Sequence, residues 1–179
     1  MKLLYYFLPF LFLFSSCEKD IDVNKQFELT KDKQTRFILS VEGKDFYEED
    51  AVFSGHLEAK ENYFVMNFIN QNGGNFILNL SGNGWYNEKF IEGRIYGAAS
   101  SNLMFGRVVD AKINKGEGYL FSSGKIEPLS VSKSKLIFKL TGEAKKYPNV
   151  SETDPSYSIE GLIISKNPEF QEFSITNSK

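Results

Sequence analysis

Apolar and polar residues alternate along most of this chain from residue 35 onward. In Arg36–Val41, Phe37, Leu39 and Val41 share one face. Phe53, Leu57 and Ala59 share a face in Val52–Ala59, with Ser54, His56 and Glu58 opposite. Phe76, Leu78 and Leu80 alternate with Asn75, Ile77 and Asn79, and Leu136, Phe138 and Leu140 stand between Lys135, Lys139 and Thr141. Period-2 alternation marks a strand with one buried face. Tyr63–Asn70 departs from it, because Val65 and Ile69 oppose Phe64, Met66 and Phe68. A strand apolar on both faces is central or lies beneath a second layer. Further strands are expected over Lys89–Tyr96, Leu103–Ile113, Gly118–Phe121, Lys125–Val131 and Ser156–Ser165.

Turn chemistry separates these runs. Asn72-Gly73, Asn83-Gly84 and Glu42-Gly43-Lys44 supply residues that accept the positive φ of tight turns. Asn114–Gly118 reads as another turn, and Glu143–Pro155, with two prolines, as the longest loop. No segment has capped helical periodicity. About nine to eleven short strands at hairpin spacing give an all-β fold, an antiparallel β-sandwich or an open meander barrel. The reading leans slightly to the sandwich.

The first residues follow a different pattern. Lys2 precedes an apolar run from Leu3 to Phe14, then Ser15, Ser16 and Cys17. A basic start, a short apolar stretch and small residues before a cut define a secretory signal. The run is too short for a bilayer, which takes about 20 apolar residues. Phe14-Ser15-Ser16-Cys17 resembles the lipobox of bacterial lipoproteins, with phenylalanine where leucine is common, a tolerance typical of Bacteroidota. Glu18-Lys19-Asp20-Ile21-Asp22 resembles the tract that marks surface-exposed lipoproteins of those bacteria, interrupted by Ile21. The arrangement as a whole is similar to an uncharacterised family of small Bacteroidota lipoproteins with a β-rich domain.

That resemblance implies cleavage before Cys17, acylation of its thiol, and an outer-membrane address facing the cell surface. The expected organisation is a signal peptide over 1–16, a lipidated Cys17 with a charged tether over 17–34, and a β-rich domain over 35–179. Cys17 is the single cysteine, so a lipidated chain has no disulfide. The tether is rich in charge and unable to bury apolar surface alone, with a reach of about 20–25 Å as a coil. Phe27 and Leu29 are its candidates for docking, as part of an edge strand.

Composition narrows the partners. Net charge is −2, with no basic stripe, which argues against nucleic acid. The 17 phenylalanines and nine tyrosines favour sheet over disorder.

Candidate chemistry is sparse. His56 is the single histidine and cannot assemble a zinc site without further ligands. Asp45, Glu48, Glu49 and Asp50 form an acidic loop without the spacing of a calcium loop. Glu152 and Asp154 are similar. No catalytic, metal or cofactor motif is identified. Trp85 and Tyr86, beside Asn83, are the candidate binding residues, either as an exposed aromatic pair or as a cap on the core. The function expected is a non-enzymatic binding or assembly module of the cell envelope, partnered by the membrane and by an envelope or secretion-complex protein. The alternative is a lipocalin-like carrier of an apolar ligand, in a hollow barrel lined by Phe64, Phe68, Phe76 and Phe138. A glycan-active enzyme is the third.

Overall fold

The computed structural model describes residues 21–94 and 101–176. One helix and eleven strands follow in order: α1 Val23–Leu29, β1 Gln34–Val41, β2 Lys44–Asp45, β3 Phe53–Lys60, β4 Tyr63–Asn70, β5 Asn75–Ser81, β6 Ile91–Arg94, β7 Ser101–Asp110, β8 Lys115–Val131, β9 Lys135–Lys146, β10 Ser156–Lys166 and β11 Glu172–Phe173. A 3-10 turn spans Trp85–Asn87.

The sheet runs β3-β4-β5-β7-β8-β9-β10-β1 with antiparallel neighbours, and a pairing of Thr35 with Phe53 joins β1 back to β3. The fold is therefore all-β and an eight-stranded antiparallel barrel, which corrects the lean toward a sandwich. Alternation alone did not distinguish the two, because sandwiches and barrels both place every second residue inside. What decides is the one register between β1 and β3, two strands that are not joined by a tight turn.

The expected break between Gly118–Phe121 and Lys125–Val131 is absent. One 17-residue strand, β8, runs through it, with register shifts at Phe121/Ser123 and Pro128/Ser130. Its first part pairs with β7 and its middle with β6. Gly124, at φ 133°, and its partner Gly142, at φ 156°, let the strand bend where their backbones touch. Phe121 packs into that bare corner.

The interior is filled by side chains. Phe64, Phe76, Phe105, Phe138, Leu57, Met66, Leu78 and Ile126 are all fully buried. Phe64 lies 5.1 Å from Phe138, and Phe37 lies 4.1 Å from Phe76, ring centre to ring centre. The four phenylalanines expected to line a hollow thus pack into the core, where close-packed rings leave few voids.

The segment expected to be a charged tether also differs. Residues 23–29 form a helix, not an edge strand. The Asp22 side chain caps it, its Oδ1 accepting from Lys25 N at 3.1 Å. Ile21, Val23 and Phe27 form its apolar face, which packs on Ile38, Ile137, Leu162 and Ile164 on the outside of the barrel. Leu29, the other expected docking residue, is exposed. Three apolar residues among so many charges carried too little signal to predict the helix, yet docking on a preformed surface stabilises it.

Candidate functional site

Each end of the barrel has its own closure. At one end the 3-10 turn sends Trp85 into the core. Trp85 is 2% exposed, and its indole N–H donates to the Lys60 carbonyl at 2.9 Å. Its ring lies 5.1 Å from Phe64 and stacks on Phe138 at 6.1 Å. Tyr86 is buried beside it, its hydroxyl donating to the Glu61 carboxylate. Of the two arrangements weighed for this pair, the geometry is that of a core cap, not of an exposed aromatic pair. Gly84, at φ 71°, makes the turn that aims both rings inward. Asn83 is exposed on the same loop.

The opposite end is the mouth. After β2 the chain crosses the opening as a flap over residues 46–52. Phe46 and Tyr47 are buried beneath it, although their acidic neighbours Asp45, Glu48, Glu49 and Asp50 are exposed. Phe46 lies edge-on to Phe105 at 5.0 Å and to Tyr119 at 5.7 Å. Tyr47 meets Phe53 at 4.8 Å, and its hydroxyl donates to the Asn75 carbonyl at 2.5 Å. Burial pushes the Tyr47 hydroxyl far above its ordinary value, so it stays a neutral donor.

Polar contacts fasten the flap at several points. Arg107 Nη1 donates to the Phe46 carbonyl at 2.6 Å, and its guanidinium lies over the Phe46 ring at 4.6 Å. Asn72 Nδ2 donates to Glu48 Oε2 at 2.7 Å, and Arg36 Nη2 to the Glu49 carbonyl at 3.3 Å. Arg107 also pairs with Glu117 at 3.1 Å. The same carboxylate accepts from the Tyr119 hydroxyl at 2.9 Å and from Lys146 at 3.4 Å. Burial works against the charge of Glu117, but donation from Tyr119, Arg107 and Lys146 outweighs it and holds the carboxyl below the usual range. Burial, aided by Glu117, pushes Tyr119 up to about 12.

Two clefts open beside this network. One of about 210 Å3 lies between the flap and the β4–β5 and β7–β8 hairpins, lined by Phe46, Glu48, Asn72, Arg107 and Val108. A broader one of about 590 Å3 runs along the outside past Gly106, Gly118, Val108 and Tyr147. A third, of about 450 Å3, separates α1 from β1 and the flap. The mouth is thus a rim of charge and exposed apolar side chains around a plugged opening. It offers surfaces for binding, while its best-placed acid, base and hydroxyl groups are engaged with each other.

The other sequence candidates sit apart. His56 is exposed on β3, its Nε2 2.9 Å from Glu58 Oε1. The Tyr63 hydroxyl donates to that carboxylate at 2.9 Å. Glu152 and Asp154 contribute backbone carbonyls, which accept from the buried Lys145 ammonium at 3.0 and 2.7 Å. Among the described residues no group of three His, Cys, Asp or Glu side chains is placed to hold a metal ion. Cys17, Glu18, Lys19 and Asp20, with the signal segment, lie outside the described residues, and Asp22 is the helix cap.

Sequence reading did not single out Phe46, Tyr47, Arg107, Glu117 or Tyr119. The available signal was two adjacent aromatics inside an otherwise acidic loop, where a solvated turn has no use for them. No helix among the described residues is long and apolar enough to cross a membrane. Comparison with protein-family models, with curated proteins and with solved structures finds no match to this chain.

Proposed function

We propose that this chain is a non-enzymatic binding or assembly module of a bacterial cell envelope, held at the outer membrane through an acylated Cys17 and facing the cell surface. The observation that supports it is the filled barrel. Phe64, Trp85 and Phe138 occupy one end and Phe46, Tyr47 and Phe105 the other, so binding of a protein partner falls to the outer surface of the barrel. Arg107, Glu117, Tyr119 and Lys146 engage one another, which suits a rigid rim better than proton transfer. More than one acyl chain on Cys17 gives stable anchoring, each buried methylene contributing about 0.8 kcal/mol. An envelope or secretion-complex protein is the partner this reading favours.

A second reading, a carrier of a small apolar ligand, draws support from the closed eight-stranded barrel, a size that elsewhere holds one small ligand. It requires Phe46 and Tyr47 to leave the mouth.

Cells expressing the wild-type chain beside Cys17→Ala test the first reading. Membrane retention and loss to external protease for wild type, with mislocalisation of Cys17→Ala, is the expected result. Equal membrane attachment of the two overturns it. Saturable uptake of a fluorescent fatty acid, abolished by excess unlabelled fatty acid, would favour the carrier instead.

A further inference from the structure

We infer that the mouth end of the barrel lies against the membrane surface to which Cys17 is anchored, with the β7–β8 hairpin tip and the start of the β9–β10 loop as the contacting elements. The inference rests on the lipid-anchor reading above and adds an orientation and a contact surface.

The free tether is short. Docking of α1 uses up most of the segment between Cys17 and the barrel. Val23 and Phe27 are packed on the barrel wall, and Ile21 with Asp22 lines the groove beside Asp45 and Glu49. Only residues 18–20 remain between Ile21 and the Cys17 anchor. Even fully extended they reach no more than about 14 Å. A tether of the whole segment 17–34 would let the barrel tumble freely, and one this short does not.

The chain also leaves the barrel at the mouth end. Phe27 at the lower end of α1 sits beneath Lys135 and Lys166, next to the start of β1. Ile21 and Asp22 sit by Asp45 of β2, which pairs with Ser40 near the end of β1. The helix therefore runs opposite to β1 and the chain departs toward the mouth. The β4–β5, β7–β8 and β9–β10 connections lie at this same end.

Ile113, Tyr147, Val109 and Val108 are 68%, 60%, 53% and 41% exposed, and all four belong to this end. Lys112 and Lys115 bracket Ile113. Apolar tips flanked by lysines, with a tyrosine, suit the boundary between headgroups and acyl chains, where lysine stems lie along apolar surface and ammonium groups reach phosphates.

Amine footprinting tests this. The full chain is expressed, purified from membranes and reconstituted into phosphatidylcholine–phosphatidylethanolamine vesicles. The vesicles are floated and treated with a water-soluble amine reagent, and modified lysines are read by mass spectrometry. Lys112 and Lys115 should be labelled severalfold less than in soluble Cys17→Ala protein. Lys133, in the turn at the far end, should be unchanged. Ile113→Asp should still float but regain labelling at Lys112 and Lys115. Equal labelling at both ends in floated protein overturns this inference alone. Failure to float overturns the lipid-anchor reading and this inference with it.

Discussion

Arg107 holds Phe46 twice, donating to its carbonyl at 2.6 Å and covering its ring at 4.6 Å. One side chain on the barrel wall thereby fixes both the backbone and the aromatic plug of the flap. Glu117 sets the guanidinium from the far side. Arg107→Ala should cost about 1–2 kcal/mol, from one charge-assisted hydrogen bond and one cation–π contact on a partly exposed residue. Arg107→Lys should recover little, since an ammonium lacks the planar fork. Denaturant midpoints give the cost. Hydrogen exchange at the Phe46 amide, which bonds the Leu39 carbonyl at 2.7 Å, should accelerate far more than exchange within β10.

Trp85 is the corresponding anchor at the closed end. Trp85→Ala removes a buried ring that packs on both Phe64 and Phe138 and should cost about 3–5 kcal/mol. Trp85→Phe keeps most of the packing but leaves the Lys60 carbonyl without its indole donor, a loss of about 1–2 kcal/mol. An exposed binding residue would instead tolerate both changes, so thermal unfolding of the two variants separates the roles.

The glycine corner under Phe121 should be far less tolerant than an open turn. A Cβ on Gly142 would stand 2.1 Å from the Ser123 carbonyl oxygen and 2.7 Å from the Phe121 ring. Gly142→Ala should cost about 3 kcal/mol, since backbone and not a flexible side chain must give way. Gly43, at φ 71°, meets nothing within 4 Å, and Gly43→Ala should cost about 1 kcal/mol of backbone strain. Chemical denaturation of the two variants checks the ranking.

Acid should release the C-terminal segment. The Glu61 carboxylate accepts from the Tyr86 hydroxyl and from Thr176 N and Oγ1, both at 2.9 Å. The Tyr86 hydroxyl, followed by the Thr176 donors, holds the Glu61 carboxyl below its ordinary value. A depressed carboxyl contributes stability that is fully present above its unfolded value and is lost as pH falls through the folded one. Proteolysis near Thr176 should therefore rise as pH drops below the ordinary glutamate range. Glu61→Gln should show the released behaviour at neutral pH.

The strand faces were legible because burial follows a period of two. Phe37, Leu39 and Val41 point inward as their alternation requires, and so do Leu136, Phe138 and Leu140. Barrel closure was not, since it depends on Thr35 meeting Phe53 across a register that no turn between them dictates. The helix at Val23–Leu29 escaped because its stability comes from Ile137, Leu162 and Ile164, more than a hundred residues away in the chain. At the mouth, Phe46 and Tyr47 were hidden by the acidic residues around them. Arg107 and Glu117 carried no local signal, because their partners come from other strands.

Cys17 is the hinge of the functional account, and the intact mass of the protein extracted from membranes tests it most directly. The chain is expected to begin at Cys17 and to carry the added mass of acyl groups on that residue. A chain that retains residues 1–16, or one whose Cys17 is a free thiol, would contradict it.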